Sequence, residues 1–258
     1  MSEDAAFPDR HVGDIKLAYA DEKVDGIIKF IIGFKTLDER RALYGLARRT
    51  LARAETSDLD SITAIAQAAI AECIAAAETE SDPELANKLI DAANVFSYNL
   101  SADMAECWPE DHTPRSTRHF ETGLLAANDC LRWRHQLKKG PWPFSIAWWA
   151  KGTHELSLGL AAEAVESFQQ EYHHAELVAA GDKKDPGVDF GCLVAQGYLA
   201  LAQIAAGNAA GEELFAKICT AFQAVKDNSE GEAAEDAQFG LDQIQTMRAR
   251  LTARGVFP

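Results

Sequence analysis

Trp148-Trp149-Ala150-Lys151-Gly152, followed by Gly159, Ala164 and Phe168, is the stretch on which the reading of this chain turns. An aromatic pair with a glycine one helical turn later, then a turn glycine, then Ala and Phe four apart, describes two helices folded back on each other. Gly152 and Ala164 are small enough for the helices to approach closely, Gly159 turns the chain, and Trp148 and Phe168 fill the gap between them. A hairpin of this kind buries one face by itself and needs neighbours to bury the other.

Working outward, neighbours of the same type are found on both sides. Ala161, Ala164, Val165, Phe168 and Tyr172 recur at helical spacing, as do Val194, Gly197, Tyr198, Leu201 and Ala205. A helix is predicted from Thr36, where Thr36 and Glu39 form a capping box, to about Glu55, with Leu43, Leu46, Ala47, Thr50, Leu51 and Ala54 inward. Ile62, Ile65, Ala66, Ala69, Ile70 and Cys73 stripe a third helix that follows Ser57-Asp58, and Asp82-Pro83-Glu84 opens a fourth running to about Cys107. Further helices are predicted over about 117–138, over about 145–157, from Gly207-Asn208 to about Val225, and over a terminal segment that ends near Arg254, with Ala237, Leu241, Ile244 and Leu251 on its packed face and its acidic and basic residues in water. A short helix over 24–35, weakened by Gly26 and Gly33, precedes them all. Alternating strand patterns are nearly absent. The expected fold is therefore all-α: about nine or ten helices stacked as antiparallel pairs, with residues 1–21 a mobile tail and residues 22–258 a single domain without a Gly, Ser or Pro linker.

Composition narrows the function. In 258 residues, 47% are apolar, and the formal net charge is −15. A field of that sign repels polyanions, so nucleic acid is not expected as a partner. Arg40, Arg41, Arg48, Arg49 and Arg53, and again Arg132, Arg134, Lys138 and Lys139, read as solvated helix faces. Cys73, Cys107, Cys130, Cys192 and Cys219 are scattered with no C-x-x-C, as buried thiols in a reducing compartment would be. The acidic start lacks a signal-peptide core, and the apolar run Ile27 to Phe34 is too short to span a bilayer, so a cytoplasmic protein with no membrane contact is expected. That run, if exposed, would offer a face for homo-oligomerisation through the N-terminal helices.

From Ser145 to Glu176 the sequence resembles a tetratricopeptide repeat (TPR), through Trp148, Gly152, Gly159, Ala164 and Phe168. It departs where Lys151 and Glu155 stand in place of an apolar residue and a tyrosine, and where Glu171 replaces a small residue. The match covers one repeat of about 34 residues; elsewhere the period is degenerate. The resemblance implies a right-handed α-solenoid whose concave groove is lined here by Ile146, Trp149, Thr153, Leu156 and Ser157. It implies a protein or peptide partner, basic or carrying an apolar anchor, held by an exposed Trp149. The basic clamp that some members use for C-terminal carboxylates is not matched, because Trp149 and Thr153 occupy its positions.

Signs of catalysis are few. No G-x-S-x-G, G-x-G-x-x-G, Walker or H-E-x-x-H sequence is present. Glu163, Glu166, Glu171 and Glu176 are spaced like a solvated helix face, and no cofactor is called for. The alternative to a binding module is a small-molecule binder or metal-dependent enzyme with an interhelical pocket at His154, His173 and His174.

Overall fold

A computed structural model describes residues 7–52 and 57–257, and among them ten α-helices and no strand. After a 3₁₀ turn at Asp9–His11 come α1 (Val12–Ile32), α2 (Leu37–Ala52), α3 (Leu59–Thr79) and α4 (Pro83–Met104). They are followed by α5 (Thr117–Gln136), α6 (Pro141–Ser157), α7 (Ala161–Gly181), α8 (Phe190–Ala205), α9 (Ala210–Asn228) and α10 (Glu232–Ala253). Two compact units divide at Asp103 and Met104, a boundary that no change of composition marks. The predicted ends of α2 at Arg53, Ala54 and Glu55 lie outside the described residues.

In the first unit, the helix begins well before residue 24. Residues 12–21, expected as tail, are already helical because Ile15 is completely buried. A break at Glu22 and Lys23, where Lys23 takes φ 55°, splits α1 into two segments. Ile27 and Ile31 are buried within the protein, and Phe30 meets Phe34 edge to face at 5.3 Å, so the run Ile27 to Phe34 is largely used internally. α2 opens on the Thr36–Glu39 box, with the Glu39 carboxylate 3.0 Å from Thr36 N. α3 is capped by Asp58, which accepts from Ser61 N at 3.0 Å and from the Tyr19 hydroxyl at 2.5 Å. Two of the arginines of α2 are structural more than solvated: Arg40 pairs with Glu72 of α3 at 2.5 Å, and Arg48 grips Asp103 of α4 at 2.5 and 3.0 Å, while Arg49 is exposed as expected. By length and mean hydropathy (1.4) α3 could cross a membrane. Its Ile62, Ile65, Ala66, Ala69 and Cys73 are buried inside the protein, as they are in a core helix.

In the second unit, each helix packs on the next, and α6 and α10 each also touch α8. Connections of three or four residues join α5 to α6, α6 to α7, α8 to α9 and α9 to α10, which makes these neighbours antiparallel. The hairpin of α6 and α7 is built as its sequence indicates. Gly159 holds φ +78°, open to glycine without strain, and lets the chain reverse. Phe168 is completely buried, and a Cβ on Gly152 would stand 2.7–2.9 Å from its ring carbons. Ala237, Leu241, Ile244 and Leu251 of α10 all face inward as expected. Arg250 and Arg254, expected in water, instead reach back to the loop after α4. Arg250 donates to the carbonyls of Glu106, Trp108 and Asp111, and Arg254 pairs with the buried Glu106 carboxylate. Arg134 likewise is buried and donates to Pro143 O, which helps start α6 at Pro141, four residues ahead of the predicted Ser145.

Gly152→Ala should therefore lower stability by about 1–3 kcal/mol, the cost of overpacking a filled core. Gly140→Ala, whose added Cβ meets nothing within 4 Å, is the control and should be near neutral. Urea denaturation of the two variants checks this; equal stabilities would refute the close approach of α6 and α7.

Candidate functional site

Four of the residues predicted to line the groove are inside the protein: Trp149 is 6% exposed, Thr153 and Leu156 0% and Ser157 5%. Only Ile146 is half-buried. The reason is that α6 is covered by α5, α7 and α8, where a groove would need one face open. Thr153 Oγ1 spends its proton on Trp149 O at 2.8 Å, and Ser157 Oγ donates to Glu106 at 2.7 Å. The exposed Trp149 expected from the sequence is corrected to a core residue, 5.6 Å from the ring of Trp108 and edge-on to Tyr198 at 6.2 Å.

The departures from the repeat pattern find a use in the same place. Lys151 Nζ lies 3.0 Å from Glu155, and Ser167 of α7 donates to the other Glu155 oxygen at 2.6 Å. This nearly buried pair ties the two helices together where an apolar residue and a tyrosine would otherwise pack. Glu171 is different. Glu163 and Glu166 are solvated as expected, but Glu171 is 3% exposed and its Oε2 finds no hydrogen-bond partner. Burial alone holds its carboxyl well above the usual range, which favours its protonated form. Tyr198 of α8 lies near it, raised first by burial and then by Cys107, and neither its hydroxyl nor Trp149 Nε1 closes a hydrogen bond of normal geometry.

The histidines do not gather. His154 is completely buried, its ring against Gly123 and 6.5 Å from Phe120. His174 stacks on Phe144 at 5.1 Å, with His135 on the same phenyl ring at 4.6 Å. Phe144 and His154 are ten residues apart on α6, roughly 15 Å along its axis. Burial lowers the affinity of His174 for a proton, with His173 and His135 adding to the effect. Among the described residues no three His, Cys, Asp or Glu side chains are placed to hold a metal ion. The interhelical pocket imagined at His154, His173 and His174 is therefore not assembled. The thiols are free, and burial pushes Cys73 to about 11 and Cys107 and Cys192 to about 12, which leaves little thiolate at neutral pH.

What the second unit does offer is a cleft of about 230 Å³ where α8, α9 and α10 meet. Asp189 caps α8 by accepting from Cys192 N at 3.1 Å, which fixes Phe190 and Leu193 on the cleft floor. Phe222 of α9, 6.4 Å from Phe190, and Ala237 of α10 complete it. Val188, 55% exposed, stands at its edge, with Asp189, Asp236 and Lys184 as polar lining. The first unit has a wider cleft of about 500 Å³ between the starts of α2 and α4 and the end of α3. Two of its charges are paired, Arg41 with Asp38 at 2.9 Å and Lys88 with the neighbouring Glu84 at 2.8 Å. Sequence reasoning passed over the α8–α10 cleft. Its signal was there in Val188 and Phe190, apolar residues at the exit of a loop, opposite the acids of 227–236.

No family model matches the chain, and no curated protein is detectably similar to it. A solved structure described as a computational design of self-assembling cyclic protein homo-oligomers aligns over 95% of this chain and 97% of its own, at 12% identity and a TM-score of 0.31. A score that low does not establish a common topology.

Two outcomes follow from this geometry. Trp149→Ala should cost about 3–5 kcal/mol of stability as a core truncation, read by denaturant unfolding; an unchanged midpoint would restore Trp149 to a surface role. For Glu171 the sign is set by its raised folded value. Stability is complete below the ordinary carboxylate range and declines as pH rises toward that folded value, because the unfolded chain releases the proton first. Glu171→Gln should abolish that decline, and parallel pH–stability curves for the two proteins would contradict a buried neutral acid.

Proposed function

We propose that this chain is a non-catalytic helical module that binds another protein or a peptide, using the cleft between α8, α9 and α10. The observation that carries this reading is the cleft itself: an open, mainly apolar concavity on a rigid helical frame, lined by Phe190, Leu193 and Phe222. Pockets of this kind take an apolar anchor from a partner and exclude water around it. Sequential packing of helix pairs in the second unit supports the reading, as does the tetratricopeptide-like hairpin of α6 and α7 with its turn at Gly159. Several chemistry-bearing groups are otherwise engaged: burial raises the thiols of Cys73, Cys107 and Cys192, Glu155 is paired with Lys151, and His154 is packed in the core. Free, buried cysteines suit a reducing compartment, and the cytoplasm is the location that goes with this reading.

Site-specific photocrosslinking in cells tests it. A photoreactive amino acid at Val188 should yield a discrete crosslinked protein that the same group at Glu163, on the exposed face of α7, does not. Identical patterns from the two positions, or none from either, would remove the proposal.

A further inference from the structure

We infer that the α8–α10 cleft selects a basic segment carrying one apolar anchor residue; this rests on the peptide-binding reading above and names the chemistry of its partner. The floor determines half of the recognition. Phe190, Leu193, Phe222, Val225 and Ala237 present no hydrogen-bonding side chain, so what enters must be apolar, and about 230 Å³ is room for a large side chain.

The mouth determines the other half. Two carboxylates line the cleft, Asp189 and Asp236, against a single ammonium, Lys184. That ammonium is already shared between Asp182 at 3.7 Å and Asp189 at 3.9 Å, and the exposed Asp236 forms no ion pair among the described residues. Asp236 lies beyond the first turn of α10, which carries Glu232 and Glu235; the preceding connection adds Glu230, and the last turn of α9 carries Asp227 next to Lys226. Acids in a first turn sit where the helix dipole favours them, so the fold tolerates this concentration of charge. A partner approaching the cleft meets a negative rim on a chain whose net charge is already −15. Lys or Arg beside the anchor would gain there, and Asp or Glu would be repelled, both in encounter rate and in choice of partner. A lone ammonium or guanidinium would leave the floor unfilled, and a plain apolar segment would leave the rim unused. The combination satisfies both.

The test is selection of a randomised linear peptide display library on the full chain, with two surface variants as controls. Ala233→Arg places a long cationic side chain in the cleft mouth, and Asp236→Lys reverses the rim; both positions are exposed, so neither change disturbs the core. Peptides enriched on the natural chain should share an apolar residue with Lys or Arg close by in sequence. A selected peptide, labelled for fluorescence anisotropy, should bind each variant at least about tenfold more weakly, and should bind the natural chain more weakly as salt is raised. Peptides that bind both variants undiminished would place the binding surface elsewhere while leaving the module a peptide binder. Enriched peptides that are acidic or uncharged would overturn the partner chemistry. If nothing is enriched, the inference and the peptide-binding reading fall together.

Discussion

The close approach of α6 and α7 at Gly152 is the constraint on which the second unit is built. With no side chain at that position, the ring of Phe168 lies directly on the α6 backbone, at a distance that any Cβ would forbid. Phe168 in turn sets the place of Tyr198, 5.3 Å away on α8, and Tyr198 sets the edge against which Trp149 packs. One missing methyl group thus brings three helices into a single aromatic core. The same closeness is why Trp149 has no open face to give to a partner.

A second consequence concerns the polar groups trapped by this packing. Lys151 and Glu155 are brought inside with Ser167 as a third member, and such a pair holds its geometry because each charge has a partner when water is gone. Glu171 has no such compensation, and burial holds its carboxyl well above the ordinary range. The loop after α4 shows the opposite solution. Its carbonyls at Glu106, Trp108 and Asp111 are taken by the Arg250 guanidinium, and Glu106 is neutralised by Arg254 and held by Ser157. A loop that would otherwise bury unmet backbone acceptors is satisfied by the last turn of α10.

With the interior consumed in this way, the recognition proposed above falls to the periphery of the second unit. The α8–α10 cleft lies where two helix beginnings, those of α8 and α10, come near the end of α9, and the loops there carry the charge. A rigid frame with variable connections at its end is a common way to place a binding surface without disturbing a core. That the floor is apolar and the rim acidic follows from different demands. The floor is the continuation of the hydrophobic packing of Leu193 and Phe222, and the rim is the helix-starting chemistry of Asp189, Glu232 and Glu235.

Much of the fold was legible in the amino-acid sequence because helices report themselves locally. The stripe of Ile62, Ile65, Ala66, Ala69 and Cys73, the caps at Thr36 and Asp58, the proline at 83 and the turn at Gly159 each state a helix or its end within a few residues. The inward face of α10 at Ala237, Leu241, Ile244 and Leu251 was legible for the same reason. The site was not. Whether Trp149 lies in a groove or a core depends on how many neighbours cover α6, which periodicity cannot count: an apolar stripe looks alike against one helix or three. Glu171 reads as a surface acid because its spacing matches Glu163 and Glu166, and only the arrival of α8 takes it out of water. His154, His173 and His174 are near in sequence, yet ten residues of rigid helix separate the neighbours they pack on. Local residue pattern determined that this chain is a set of helices; the packing of those helices against one another, over distances the sequence does not encode locally, decided which side chains were left at the surface.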